Sequence, residues 1–317
     1  MSPSLTQGPD VHAPARIEKS VHLIPRDAAV KRLCFDETSR MLRPNLVLVD
    51  RDGAVLFEIN ELGLKGASRD PSRKLAIVWG DSVVFGIGWS WPQQIDHLAP
   101  GYQFLNGGIE ADPYDNILRR AVSFNEQHAV ALNVVMLGWH PIPQPPQSAP
   151  PRRGLAQLYT ILRRRPSLRP DGPIEDPTER DARNRRFHDT LMKALDHIPK
   201  VVLATMPTAL NPRIVDTDLS SCFRGGGREV AFTFAGDVVY SVARQRFMFD
   251  YIMQRNEVVR QVALAKGITL IDLAVAFDTE HKADFRDDFH DMLHLRPSAY
   301  QKTAAIVHRG IAALLRT

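Results

Sequence analysis

Two short motifs, far apart in the chain, carry residue types that together can cleave an acyl bond. The first is Gly80-Asp81-Ser82, which ends the apolar run LAIVW (75–79). A serine at a strand-to-helix turn can expose its Oγ while its own N–H points toward a developing oxyanion. It can equally serve as a helix N-cap. The second is Asp291-x-x-His294, just ahead of the last helical pattern. On a turn, that spacing can set a carboxylate against Nδ1 of the imidazole and leave Nε2 to take a serine proton. Alone, it also suits a surface acid and histidine near a helix start. A serine hydroxyl is a poor nucleophile until an adjacent base removes its proton, so the motifs gain chemical meaning only as a pair.

Something must bring them together. Five short apolar runs recur, each ending in turn chemistry: LAIVW (75–79), YQFLN (102–106), LNVVML (132–137), KVVLAT (200–205) and ITLIDL (268–273). Their hydrophobicity is continuous rather than alternating, which predicts strands covered on both faces. Helical patterns lie between them. Phe187, Leu191 and Leu195 recur at four-residue steps, and Ile252, Val259 and Val262 mark a stripe before Gly267, a helix stop. Ala304, Val307, Ile311 and Leu314 share one face of the last helix. The alternation predicts a three-layer α/β/α sandwich around a five-stranded, mainly parallel sheet with right-handed crossovers. In open α/β sheets, sites form beyond the carboxyl ends of the strands. GDS, NGG (106–108), LGWHP (137–141) and ATMP (204–207) should therefore gather along one edge.

The same reading divides the chain. Residues 1–44 form a polar, proline-containing extension, expected to be partly disordered. Residues 45–66 hold a hairpin, NLVLV and AVLFEI around Asp50-Arg51-Asp52-Gly53, and a lead-in. Residues 67–317 form the main domain, with insertions at 141–180 and 206–240 that leave the site edge. Such insertions can roof a site or act as spacers.

With these blocks in place, the chain resembles the SGNH/GDSL hydrolase family over roughly residues 60–317. The family reads GDS after its first core strand, a glycine in a second block, Gly-x-Asn-Asp in a third, and Asp-x-x-His before a last helix. ELGLKG (61–66) looks like the family's lead-in, and DMLHLRPSAYQKTA (291–304) like its close. The resemblance implies a flavodoxin-like layered fold and ester hydrolysis through an acyl-enzyme. It makes Ser82 the nucleophile, His294 the general base and Asp291 its orienting acid. Ser82 N–H and Gly108 N–H become oxyanion donors. Asp81, Trp89 and Trp139 are substrate-binding candidates, and Trp89 and Trp91 either line a pocket or pack on the sheet.

The third block departs from the pattern. In VVMLGWHPIP, Gly138 and Trp139 fit, but His140 stands where the family has asparagine and Pro141 where it has aspartate. Asparagine supplies a side-chain oxyanion donor. A histidine can donate from a ring nitrogen, with a strength that changes as it titrates. Two alternatives stand beside hydrolysis: acyl transfer to a sugar or other alcohol if the two insertions exclude water, and a binding protein catalytically weakened by His140 and Pro141. The acid-rich tract HKADFRDDFHDMLH (281–294) permits a metal reading through His290, His294, Asp284, Asp287, Asp288 and Asp291. It also repeats the motif as Asp287-x-x-His290. The later pair is preferred because it directly precedes the Pro297 helix entry.

Composition sets outer limits. The chain has 317 residues, 44% hydrophobic and 24% charged, with a net charge of +4. That is ordinary for a soluble globular protein, and nothing in the sequence resembles a nucleic-acid-binding module. Residues 152–169 carry six arginines, which can meet an anionic surface or simply stay solvated. Cys34 and Cys222 form neither a disulfide framework nor a metal pair. The first twenty residues lack a signal peptide's apolar core, and no stretch approaches the roughly eighteen apolar residues of a membrane span. The expectation is a soluble, cytoplasmic, cofactor-free enzyme acting on a small-molecule or glycan ester.

Overall fold

The apolar runs become strands that are buried along most of their length. In the computed structural model, residues 15–18, 36, 40–49, 55–86, 90–138, 140–141, 167–168, 176–209, 238–239, 242–280, 288–289 and 293–316 are described. The chain divides into two compact units, 1–69 and 70–317. In the first, strands β1 (Ala15–Glu18) and β2 (Leu46–Val49) pair in parallel, and β3 (Val55–Glu58) pairs antiparallel with β2. The β2–β3 pair is the anticipated hairpin.

The second unit holds the five anticipated strands: β4 (Lys74–Trp79), β5 (Tyr102–Asn106), β6 (Leu132–Met136), β8 (Val201–Ala204) and β10 (Leu270–Ile271). They line up as β10-β8-β6-β4-β5, and every neighbouring pair is parallel. All of β5 and β6 is buried, as is β4 after Lys74, which is why these runs show no alternation. From β4 the chain passes first to β5 on one side, then back across to β6 on the other. That reversal makes the carboxyl ends of β4 and β6 a topological switch point, where an open α/β sheet leaves a crevice. A small ladder, β7 (Ser167–Leu168) with β9 (Val238–Val239), joins the two anticipated insertions.

The helices fall into two packed groups. One comprises α3 (Tyr114–Gln127), α4 (Pro177–Leu195) and α5 (Val242–Lys266); the other comprises α2 (Trp91–Gln94), α6 (Leu273–Glu280) and α7 (Pro297–Ile311). The predicted stripes are their buried faces: Phe187, Leu191 and Leu195; Ile252, Val259 and Val262; Ala304, Val307 and Ile311. Gly267 ends α5 with φ of +62°, the left-handed turn that glycine adopts without strain. Leu314 differs from expectation. The last helix stops at Ile311, and Leu314 lies in a 3-10 turn, 37% exposed.

One polar network fixes the register under the site. Asn133, fully buried on β6, accepts from Trp79 Nε1 at 2.9 Å and Asn125 Nδ2 at 3.0 Å. Its own amide donates to Asn125 Oδ1 and the Pro199 carbonyl. All four hydrogen-bonding positions of the side chain are filled, so a slip of β6 against β4 would orphan several buried groups at once. Among the described residues, no helix is long and apolar enough to cross a membrane.

Candidate active site

At the end of β4 the chain needs a residue without a side chain. A Cβ on Gly80 would stand 2.3 Å from Val84 Cγ2 and 3.0 Å from the Met136 carbonyl oxygen. The turn leads into one short helix, α1 (Ser82–Phe85). Asp81 is its N-cap: the carboxylate accepts from Val83 N–H at 3.0 Å. Capping, which the sequence left open for Ser82, is thus done by its neighbour. Ser82 is the first helical residue, so its N–H has no acceptor within the helix.

The Ser82 hydroxyl meets a partner 212 residues away. Its Oγ lies 2.8 Å from Nε2 of His294. His294 directly precedes Leu295, which forms an antiparallel bridge with Phe289. Buried Leu293 and Leu295 flank His294, Arg296 N–H donates to the Asp288 carbonyl at 2.7 Å, and Arg296 Nε donates to the Phe289 carbonyl at 2.9 Å. Pro297 then opens α7 at a position where the missing N–H costs nothing. Asp291, Trp89 and Trp139 lie outside the described residues, as does His290. So does the arginine tract apart from Ser167 and Leu168. Among the described residues, no group of three or more His, Cys, Asp or Glu is placed to hold a metal ion.

The second block serves the site differently from expectation. Gly108 N–H donates to Asn106 Oδ1 at 2.8 Å, closing the turn on its own side chain. What Gly108 contributes is space. A Cβ there would stand 2.5 Å from Phe85 N and 2.9 Å from the Asp81 carbonyl oxygen, so only glycine lets this loop close on α1. Sequence reasoning missed Asn106. Its Nδ2 reaches the Val84 and Phe85 carbonyls and Ser90 Oγ, tying the end of β5 to α1, the helix that begins at Ser82. Buried Arg120 holds the same loop from below, donating to the Gly107 carbonyl at 2.8 Å and to Asp112 at 2.7 Å. Ala111 carries a left-handed backbone, φ +58°, between these anchors. Nothing in the identity of an alanine signals that conformation, which disfavours side-chain-bearing residues and tends to collect at functional sites.

His140 stands at the end of the β6 loop, where its carbonyl accepts from Tyr114 N–H at 3.4 Å. Burial, reinforced by the neighbouring His294, lowers its pKa to about 4. The ring is therefore neutral at pH 7 and can offer a neutral N–H, which corrects the expectation of a donor that titrates near neutrality. Asp81 is 1% exposed, with its carboxylate turned into the helix N-terminus. Burial raises its pKa to about 6, against the Val83 N–H and the charge of His294, which lower it; Asp112 raises it further. Trp91 is core: fully buried, with Nε1 donating to the Val83 carbonyl at 3.2 Å.

The arrangement joins a serine to an imidazole that can accept its proton, beside a backbone N–H free of helical bonding. No protein-family model matches the chain, and no curated protein matches it. Solved structures do. A lipase/acylhydrolase from Enterococcus faecalis is similar at a TM-score of 0.47 and 16% identity, covering 76% of this chain and 96% of that one. A lipolytic protein of the G-D-S-L family from Veillonella parvula gives 0.42 and 13%, covering 76% and 97%. An acetylxylan esterase from Geobacillus stearothermophilus gives 0.43 and 14%, covering 75% and 94%.

Proposed function

We propose that this chain is a serine hydrolase of the SGNH/GDSL type that cleaves a carboxylic ester through an acyl-enzyme. The observation that carries the reading is the 2.8 Å contact between Ser82 Oγ and His294 Nε2. In this reading Ser82 Oγ bonds to the ester carbonyl carbon as its proton passes to His294 Nε2. The carbonyl oxygen becomes an oxyanion that meets Ser82 N–H and a ring N–H of His140. Collapse breaks the carbon–alkoxy bond, and the departing oxygen takes the proton from His294. Water then gives a proton to His294 and attacks the acyl carbon. The second collapse returns that proton to Ser82 and frees the acid. Asp291 is assigned to hold Nδ1 of His294, by the resemblance. Gly108 supplies the close approach of the second block rather than a proton.

The substrate class is a small-molecule or glycan ester. The test is intact mass after treatment with a small fluorophosphonate, which phosphonylates an activated serine and releases fluoride. Wild type should gain one adduct and Ser82→Ala none. An adduct on both proteins, or on neither, would overturn the assignment of Ser82.

A further inference from the structure

The loop that carries His140 is clamped by residues that belong to neither sequence motif. Its backbone is held at three successive points. A Cβ on Gly138 would lie 3.3 Å from Met206 Cβ and 3.7 Å from Arg255 Cβ, so the loop runs directly against α5. The His140 carbonyl accepts from Tyr114 N–H. The Pro141 carbonyl accepts from the Tyr251 hydroxyl at 2.5 Å. Behind that hydroxyl stands Arg255, donating to it at 3.3 Å.

Arg255 is an unusual residue to bury. It is 1% exposed, and its Nε and one terminal nitrogen meet no acceptor among the described residues. Its guanidinium is enclosed by rings instead: Phe187 at 4.2 Å, Tyr114 at 5.1 Å and Tyr251 at 5.2 Å. A caged cation of this kind is costly to bury, and ring faces offset only part of that cost. The cage has a geometric consequence. The same arginine packs against Tyr114, whose N–H holds His140, and bonds to Tyr251, whose hydroxyl holds Pro141. One side chain therefore fixes both anchors of the loop.

We propose that Tyr251 and Arg255 are positioning residues for His140, acting through the Pro141 carbonyl to set where the imidazole stands beside His294. The inference rests on the reading of His140 as an oxyanion donor. An oxyanion donor works only when it is fixed near the oxygen before charge develops, so a loosened loop loses rate without losing the residue. Burial also keeps the Tyr251 phenol protonated, since its pKa is raised, so the hydroxyl remains a donor.

Tyr251→Phe removes one hydroxyl and keeps the ring on Arg255, so it should fold. With p-nitrophenyl acetate as the probe ester, kcat should fall about tenfold to a hundredfold with KM nearly unchanged. In a His140→Ala background the same substitution should have no further effect on kcat, because the group being positioned is gone. An independent readout uses the eleven histidines. With histidine labelled at 13Cε1 and the His140 signal assigned through His140→Gln, Tyr251→Phe should move that signal and leave in place the signal of His308, which lies on α7 in the other helix group. Equal kcat losses in both backgrounds would overturn the proposal. So would an unmoved His140 signal in folded Tyr251→Phe, with only thermal stability reduced. If wild type resists the fluorophosphonate, the hydrolase reading falls, but the labelled-histidine comparison still decides whether Tyr251 sets His140.

Discussion

Replacing Asp81 by asparagine should change how stability depends on pH, by an amount that can be worked from the site. Asp81 is buried at the start of α1, and its pKa rises from 3.8 to about 6, chiefly through burial. A carboxyl group raised in the folded state destabilises the fold once it must ionise. Below about pH 4 both folded and unfolded chains hold the proton, and there is no penalty. Between about pH 4 and 6 the folded chain holds a proton that the unfolded chain has released, so stability falls as pH rises. Above about pH 6 the penalty is complete: roughly two pKa units, or about 3 kcal/mol. Asparagine keeps the cap, since its side-chain oxygen can still accept from Val83 N–H, but it does not titrate. His140 acts in the opposite sense. Its depressed pKa gives stability that is present above its unfolded pKa, 6.5, and lost as pH falls toward 4. The two slopes nearly cancel in wild type, so the difference between proteins is the quantity to measure. Urea unfolding followed by tryptophan fluorescence is suitable, because all four tryptophans lie within 70–317. The stability of Asp81→Asn minus that of wild type should grow by about 2.5 kcal/mol from pH 4 to pH 7, since the unfolded carboxyl is already partly ionised at pH 4. A difference constant to within about 0.5 kcal/mol over that range would refute the reasoning.

Three further outcomes are expected. Gly108→Ala places a methyl group 2.5 Å from Phe85 N, so unfolding free energy should drop by roughly 3 kcal/mol and ester turnover should fall with it; urea titration and kcat on p-nitrophenyl acetate check both. Ala111→Gly relieves a left-handed backbone costing about 1–2 kcal/mol but frees the unfolded chain by about 0.4–1 kcal/mol, leaving a net gain of roughly 0.5–1 kcal/mol by the same titration. Arg120→Met strips Asp112 of its buried partner and should cost about 3–5 kcal/mol; full recovery in Arg120→Met/Asp112→Asn would trace that loss to the stranded carboxylate.

Much of this protein was legible because it depends on local order. Continuous apolar runs announced buried parallel strands, and all five formed where expected. Helical stripes such as Phe187, Leu191 and Leu195 announced which faces pack. Gly80-Asp81-Ser82 and the close around His294 could be placed at strand and helix ends from punctuation alone. What could not be read was the partner of each polar atom. Asp81 rather than Ser82 caps α1, because the turn after Gly80 points that carboxylate at Val83 N–H. Gly108 N–H turns to Asn106, because the end of β5 is pressed against the same helix. The neutral state of His140 follows from burial, which its residue type does not reveal. The contact of Ser82 with His294 spans 212 positions. The sequence by itself determined which residues have the chemistry and which segments become elements, since periodicity and turn preference act over a few neighbours. Only the tertiary structure decided which of those residues meet. Hydrogen bonds and pKa values are fixed at distances of a few ångströms, between atoms that chain order leaves far apart.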